Sequence, residues 1–505
     1  MVAKKKVAVI GGGVSGLAAA KAFAERGHEV HGFERSQDFG GVWDPSRSYP
    51  EVQTQSTKDL YQFTDLPYPA AVPEWPKGAD VHAYLHSYAD KHDVARLFRL
   101  GTSVEAMTQR SDGQPGWTLT LKKHGGGGVG RGGQEEKEKF DFVCVATGQF
   151  SEKNVASHPG EGDFTAQGGR VIHSSEFTDP SLVRGKRVLV LGGSKSATDI
   201  AVYAATRGGA ESVSLVYRRN VWRIPYFIGG INLKYLLYMR AQEYQFNGWL
   251  PSPLGRVLRA VLKPLIWANF RALETLLTLQ LGLRKYNMIP AERIEDTVSC
   301  SIGTVTPGFF ESLDNGSIEA TQGSIERYEA GTVVLVGGKK VPCDVAVMAT
   351  GWSQRAPPFL PVDAREKLVE SDGLFRLYRF AVNPALPYVG FVGSNSSLCT
   401  VLTSEMIANW LVRFADGQLA NQPGEGKMNA NIDQMQKWRR EERPAAQVYG
   451  GQCAGPFHFR HFDELLRDMG ASKRARKNPL AELFGHPDTA AYGRFLESAP
   501  QYRAV

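Results

Sequence analysis

Short apolar runs that stop at glycines and hand over to alanine-rich stretches recur along the chain. Lys6–Ile10 (Lys-Val-Ala-Val-Ile) predicts a short buried strand, since consecutive apolar residues without alternation suit a strand covered on both faces. Gly11-Gly12-Gly13-Val14-Ser15-Gly16 follows, and Leu17–Arg26 predicts a helix that Gly27 ends. His28–Phe33 then predicts a second strand closing on Glu34. The order repeats downstream: Lys186–Leu191 as strand, Gly192–Ala197 as turn, Thr198–Arg207 as helix. Val143–Gly148 and Val345–Gly351 are two further apolar strands, each running into Ala-Thr-Gly. Strands alternating with helices predict an α/β fold with two Rossmann-like dinucleotide-binding domains.

The two turns differ in chemistry. In the first, Gly11 permits a tight turn, Gly13 lets backbone approach a pyrophosphate, and Gly16 lets the helix pack on the strand. Ser15 and the free N–H groups of the helix start face the phosphates. Glu34, with Arg35 beside it, follows by about 20 residues and is placed to accept hydrogen bonds from a ribose diol. In the second turn, after Gly192, Ser194 and Ala197 replace two glycines, and Ser194, Lys195 and Ser196 add donors for phosphate. The position matching Glu34 is Tyr217, with Arg218 and Arg219 behind it. Guanidinium forks suit a 2′-phosphate, so the first turn predicts FAD and the second NADPH, a pair that moves electrons.

Composition narrows the class. Of 505 residues 42% are hydrophobic and 22% charged, which excludes disordered and fibrous chains. The net charge of +7 favours anionic partners, but the basic residues form no stripe interleaved with aromatics, so no nucleic acid is expected. The five cysteines (Cys144, Cys300, Cys343, Cys399, Cys453) contain no CxxC pair, which excludes a dithiol redox centre. Their odd number, with no leader sequence, predicts a reducing, cytoplasmic setting. His458 and His461 read as packing residues, and no metal site is expected.

Several further segments carry a resemblance. Gly40-Gly41-Val42-Trp43, the two Ala-Thr-Gly crossings including Thr147 and Gly148, Gly169–Phe177, and Phe391-Val-Gly393 together resemble the flavin-containing monooxygenases among the class B flavoprotein monooxygenases. Gln167 stands where that family's fingerprint has a leading Phe. The resemblance implies that Gly41, Val42, Trp43, Thr147, Gly148 and Gly393 contact FAD. It also implies that oxygen passes from a flavin C4a (hydro)peroxide to a soft nitrogen or sulfur nucleophile. Gln55 stands where the family has an Asn that holds the oxygen adduct, and keeps an amide on a longer arm. Gln55–Lys58 with Tyr61–Asp65 is similar to plant and fungal members, some of which N-hydroxylate amines. Baeyer–Villiger oxidation of ketones is the competing activity, although its fingerprint has Trp where Phe177 sits. A flavin-binding protein without turnover is the third reading.

The expected organisation is a discontinuous FAD domain (1–150 and 345–505) and an NADPH domain (155–340) with a helical insertion at 231–289. The insertion is apolar and basic, with Arg256, Arg259, Lys263 and Arg271 among Val, Leu and Trp. It is read as a substrate-access lid or packing element in preference to a peripheral membrane contact or a homodimer face. Gly125–Gly133 reads as a loop tip. The expected partners are O2 and a small amine or sulfide.

Overall fold

The computed structural model describes residues 3–124, 135–249, 253–298, 302–471 and 478–499. The glycine-rich segment 125–133 and Cys300 lie outside the described residues.

Two five-stranded parallel sheets carry the architecture. The first orders Val389–Phe391, Phe142–Val145, β1 (Lys6–Ile10), β2 (Glu29–Phe33) and β3 (Phe98–Arg99). In its register Ala8 lies opposite His31 on one side and Val143 on the other. The second orders Glu319–Gln322, Ser212–Tyr217, Arg187–Leu191, Val345–Met348 and Arg170–His173. Three-stranded antiparallel sheets flank each one, Thr102–Phe140 beside the first and Ile325–Pro342 beside the second.

The apolar runs become central strands because both faces are covered. Val7 and Val9 pack with Leu17 and Phe23 of α1 (Val14–Glu25) and with the helix Thr400–Ala415. Ala8 and Ile10 point the opposite way, into Leu119, Phe140 and Leu377. Val188 and Val190 likewise face Ile200 while Leu189 faces Val333 and Val341. Val389–Phe391 completes the first sheet from far along the chain, so this unit is built from two separated segments. The boundary expected at 345 is displaced. Val345–Met348 pairs with Arg187–Leu191 and Arg170–His173 inside the second sheet, so the chain re-enters the first unit only after Gly351.

The insertion opens with a hairpin, Ile231–Asn232 on Phe227–Ile228, and contains the helices Lys234–Leu237, Arg240–Gln245 and Pro253–Gln280 before a run of turns to 287. The long helix buries Phe270 and Leu277 but leaves Val257, Val261 and Leu265 exposed. Among the described residues no helix is long and apolar enough to cross a membrane.

Candidate functional site

The two turns have the same backbone solution. Gly11 at φ +111° and Gly192 at φ +151° occupy conformations a side chain resists. A Cβ on Gly11 would lie 2.6 Å from the Ala146 carbonyl oxygen, and one on Gly192 2.4 Å from that of Ala349. Each Gly therefore presses on the alanine of its own Ala-Thr-Gly crossing. The third position distinguishes the copies. A Cβ on Gly16 would meet the Gly11 carbonyl oxygen at 1.7 Å, whereas Ala197 is accommodated beside Gly192.

Both helices begin without a side-chain cap: Gly13 leads α1, and Ser194 leads Lys195–Thr206 without capping it. Their first N–H groups stay free for an anion. A Cβ on Gly13 would come within 3.4 Å of Gly41 Cα, so the channel between these glycines is backbone-lined. Glu34 is buried, and its two carboxylate oxygens accept from Gly12 N (2.6 Å) and Ser36 N (2.8 Å). That fixes the carboxylate while leaving lone pairs for a diol. The residues at the first turn thus fit a dinucleotide.

One cavity of about 1740 Å³ joins the turns. It is lined by Gly11, Gly13, Ser15, Glu34, Arg35, Gly41, Val42, Trp43, Gln55, Thr147, Gly148 and Gly393 from the first unit. Gly192, Ser194, Lys195, Ser196, Tyr217, Arg218 and Arg219 line it from the second. Gly16 alone of the expected residues is not on its wall, because it is packed against Gly11. Leu236, Leu237, Phe246, Phe270 and Leu273 bring the insertion into the same wall.

Side-chain partners refine these roles. Trp43 Nε1 donates to the Tyr61 hydroxyl at 2.8 Å. Gln55 Oε1 accepts from Thr304 N at 3.0 Å, and the Gln55 carbonyl accepts from the Tyr238 hydroxyl at 3.3 Å. Arg219 pairs with Glu292 at 3.2 Å, while Arg218 is exposed with no acidic partner among the described residues. Lys195, on the cavity wall, has a protein partner: its ammonium pairs with Asp199, one helical turn on. Asp199 is buried and also accepts from the Tyr49 hydroxyl (3.0 Å) and Thr306 Oγ1 (2.5 Å). Burial beside this carboxylate pushes the Tyr49 phenol well above its ordinary value.

Arg223, which the sequence does not flag, donates to the Gly193 carbonyl at 2.8 Å and lies over the Phe309 ring. It holds the second turn from beneath, and burial lowers its pKa to about 10. Asn395 is another unflagged residue on the cavity wall, and its buried Nδ2 has no hydrogen-bond partner among the described residues. Its only sequence signal is its place two residues after Gly393. In the Gly169–Phe177 segment, His173 Nε2 donates to the Gly351 carbonyl at 3.0 Å. This ties the segment to the point where the chain leaves the second sheet.

The flavin-binding monooxygenase-like family matches residues 4–472. A probable flavin-containing monooxygenase 1 of Arabidopsis thaliana is 29% identical, covering 95% of this chain and 94% of its own. Among solved structures, S-allyl-L-cysteine S-oxygenase from Allium sativum superposes with a TM-score of 0.60 at 19% identity, covering 98% of this chain and 99% of that one. Oxidized steroid monooxygenase bound to NADP superposes at 0.63 and 20% identity, covering 87% and 92%. Those likenesses show a shared fold, and the family match extends over nearly the whole sequence. The chain belongs to the flavin-binding monooxygenase-like family.

Proposed function

We propose that the protein is an FAD-dependent, NADPH-consuming monooxygenase that adds one oxygen atom of O2 to a soft nitrogen or sulfur nucleophile of a small molecule. The observation that carries this reading is the single cavity shared by both dinucleotide turns and by apolar side chains of the insertion. FAD would be held by Gly11, Gly13, Ser15 and Glu34 on its nucleotide side and by Gly41, Val42, Trp43, Thr147, Gly148 and Gly393 nearer its ring. NADPH would be held by Gly192, Ser194, Ser196 and Tyr217, with Arg218 and Arg219 on the 2′-phosphate.

When bound, the flavin supplies the redox chemistry that activates dioxygen, with two electrons drawn from NADPH. The balance is NADPH, a proton, O2 and substrate going to NADP+, water and the mono-oxygenated product. The chain orients and shields. Glu34 fixes a ribose through a carboxylate already set by two backbone donors. Gln55 would offer its Nε2–H to the cavity, since its Oε1 accepts from Thr304 N. Leu236, Leu237, Phe246, Phe270 and Leu273 keep water from the reacting centre and receive the apolar body of a substrate. The sulfur-oxygenating relative from Allium sativum supports a thioether among the substrates.

The test compares a tertiary amine, a thioether and a cyclic ketone for NADPH consumption and oxygenated product. N-oxide or sulfoxide formation matched to NADPH use is expected. Lactone formed from the ketone, with the amine and thioether untouched, would replace this reading with Baeyer–Villiger oxidation.

A further inference from the structure

Outside the cavity, α2 (Gly78–Lys91) carries His82 and His86 one helical turn apart, with their rings 4.7 Å centre to centre. Both imidazoles converge on Asp38, which lies more than forty residues earlier in the chain. His82 Nε2 is 3.2 Å from Asp38 Oδ2, and His86 Nε2 is 2.9 Å from Asp38 Oδ1. The three ligand atoms lie within 4.8 Å of one another, the only such trio of His, Cys or acidic groups among the described residues. His86 Nε2 is shut off from solvent and makes no aligned hydrogen bond, despite its closeness to Asp38. Asp38 Oδ1 is itself fixed by Phe39 N at 2.7 Å.

We propose that Asp38, His82 and His86 form a binding site for a divalent transition-metal ion, zinc being the best match. Two imidazole nitrogens and one carboxylate oxygen are a ligand set such ions prefer, with water as the fourth ligand. Tetrahedral metal–ligand bonds of about 2.0–2.2 Å set ligand atoms about 3.4 Å apart, so the nitrogen–oxygen pairs at 3.2 and 2.9 Å need to open only slightly by side-chain rotation. Ligation uses a deprotonated Nε2 on each ring, so His82 gives up its contact with the Phe39 carbonyl (3.1 Å) and carries its proton on Nδ1. The site adjoins the flavin cradle. A Cβ on Gly40 would lie 2.9 Å from His82 Cδ2, and the next residue, Gly41, packs on Gly13. A bound ion would fasten α2 to the loop that carries Gly41.

Holoenzyme without a polyhistidine tag, freed of metal by chelator, is titrated with ZnCl2 by calorimetry and with Co2+ by visible absorption. One equivalent bound by the wild type is expected, weakened about tenfold or more in both His86→Ala and Asp38→Asn. His31→Ala, which alters a histidine paired with Glu29 elsewhere, leaves the affinity unchanged. Flavin content and far-ultraviolet dichroism identify folded variants, and Asp38→Asn preserves side-chain shape. No binding by the wild type, or equal affinity in folded Asp38→Asn and wild type, overturns the proposal.

Discussion

Gln55 Oε1 accepts the backbone N–H of Thr304 at 3.0 Å, so one side chain spans from the first unit to the second across the wall of the shared cavity. The bond occupies the carbonyl end of the amide and leaves Nε2 as the donor. Gln55→Glu keeps the acceptor and removes the donor. NADPH oxidation is expected to persist while oxygenated product per NADPH falls about fivefold, the worth of one hydrogen bond of about 1 kcal/mol. Product yield against NADPH consumed checks this, and an unchanged yield removes Gln55 from the machinery.

Arg218 and Arg219 are adjacent but not equivalent. Arg219 is engaged by Glu292, while Arg218 has no acidic partner among the described residues. Arg218→Ala is expected to raise KM for NADPH about tenfold or more, since a charge-assisted contact contributes about 1.5–3 kcal/mol. KM for NADH should stay unchanged. Arg219→Ala should produce the smaller change, measured by steady-state kinetics with both coenzymes.

Gly16 and Ala197 occupy the same position of the two turns with opposite tolerance. Gly16→Ala drives a Cβ into the Gly11 carbonyl, at 1.7 Å before any shift, and is expected to yield protein depleted of flavin. Ala197→Gly should keep both the bound flavin and its reduction by NADPH and cost about 1 kcal/mol of stability through helix propensity. Flavin absorbance per chain and thermal midpoints read both outcomes.

Lys195 and Asp199 form a largely buried pair, so Lys195→Met leaves a carboxylate whose remaining side-chain donors among the described residues are Tyr49 and Thr306. A loss of about 3 kcal/mol is expected, mostly restored when Asp199→Asn is added. If Lys195→Met instead weakens NADPH binding with stability intact, the lysine serves the phosphate as first read from the sequence.

His458 and His461 are buried; burial lowers His458 to about 4, and burial together with the nearby Arg379 and His458 lowers His461 to about 3. The unfolded chain takes up protons near pH 6.5 that the folded chain refuses until those lower values are reached. Their stabilising contribution is therefore present above about pH 6.5 and is lost as pH falls toward 3. Denaturation at pH 5 and 7 should show His461→Phe losing less stability on acidification than wild type, by up to about 1.4 kcal/mol per pH unit.

Both nucleotide turns were legible because their constraints are local: a strand, a tight turn and a helix start leave glycines at fixed spacing. The acid at Glu34 was legible for the same reason. What escaped were contacts closed by the fold, such as Tyr49 on Asp199, Arg223 beneath Gly193, and Asp38 against His82 and His86. The placement of Val345–Met348 was misjudged because an apolar strand followed by Ala-Thr-Gly has the same pattern whichever sheet receives it. The Lys195–Asp199 pair is not legible because the sequence leaves open whether a lysine in a glycine-rich turn meets a phosphate or the acid one helical turn on.

The chain leaves the first unit and returns to it along neighbouring paths. Lys153 bridges Trp352 in antiparallel fashion, Asn154 N donates to the Gly351 carbonyl at 3.1 Å, and Ser353 N to that of Glu152 at 2.8 Å. The two connectors lie side by side and are hydrogen-bonded to each other, and His173 fastens one of them at Gly351. Each connector is thereby braced by the other, so the spacing of the two nucleotide turns is set at the crossing and not within either turn.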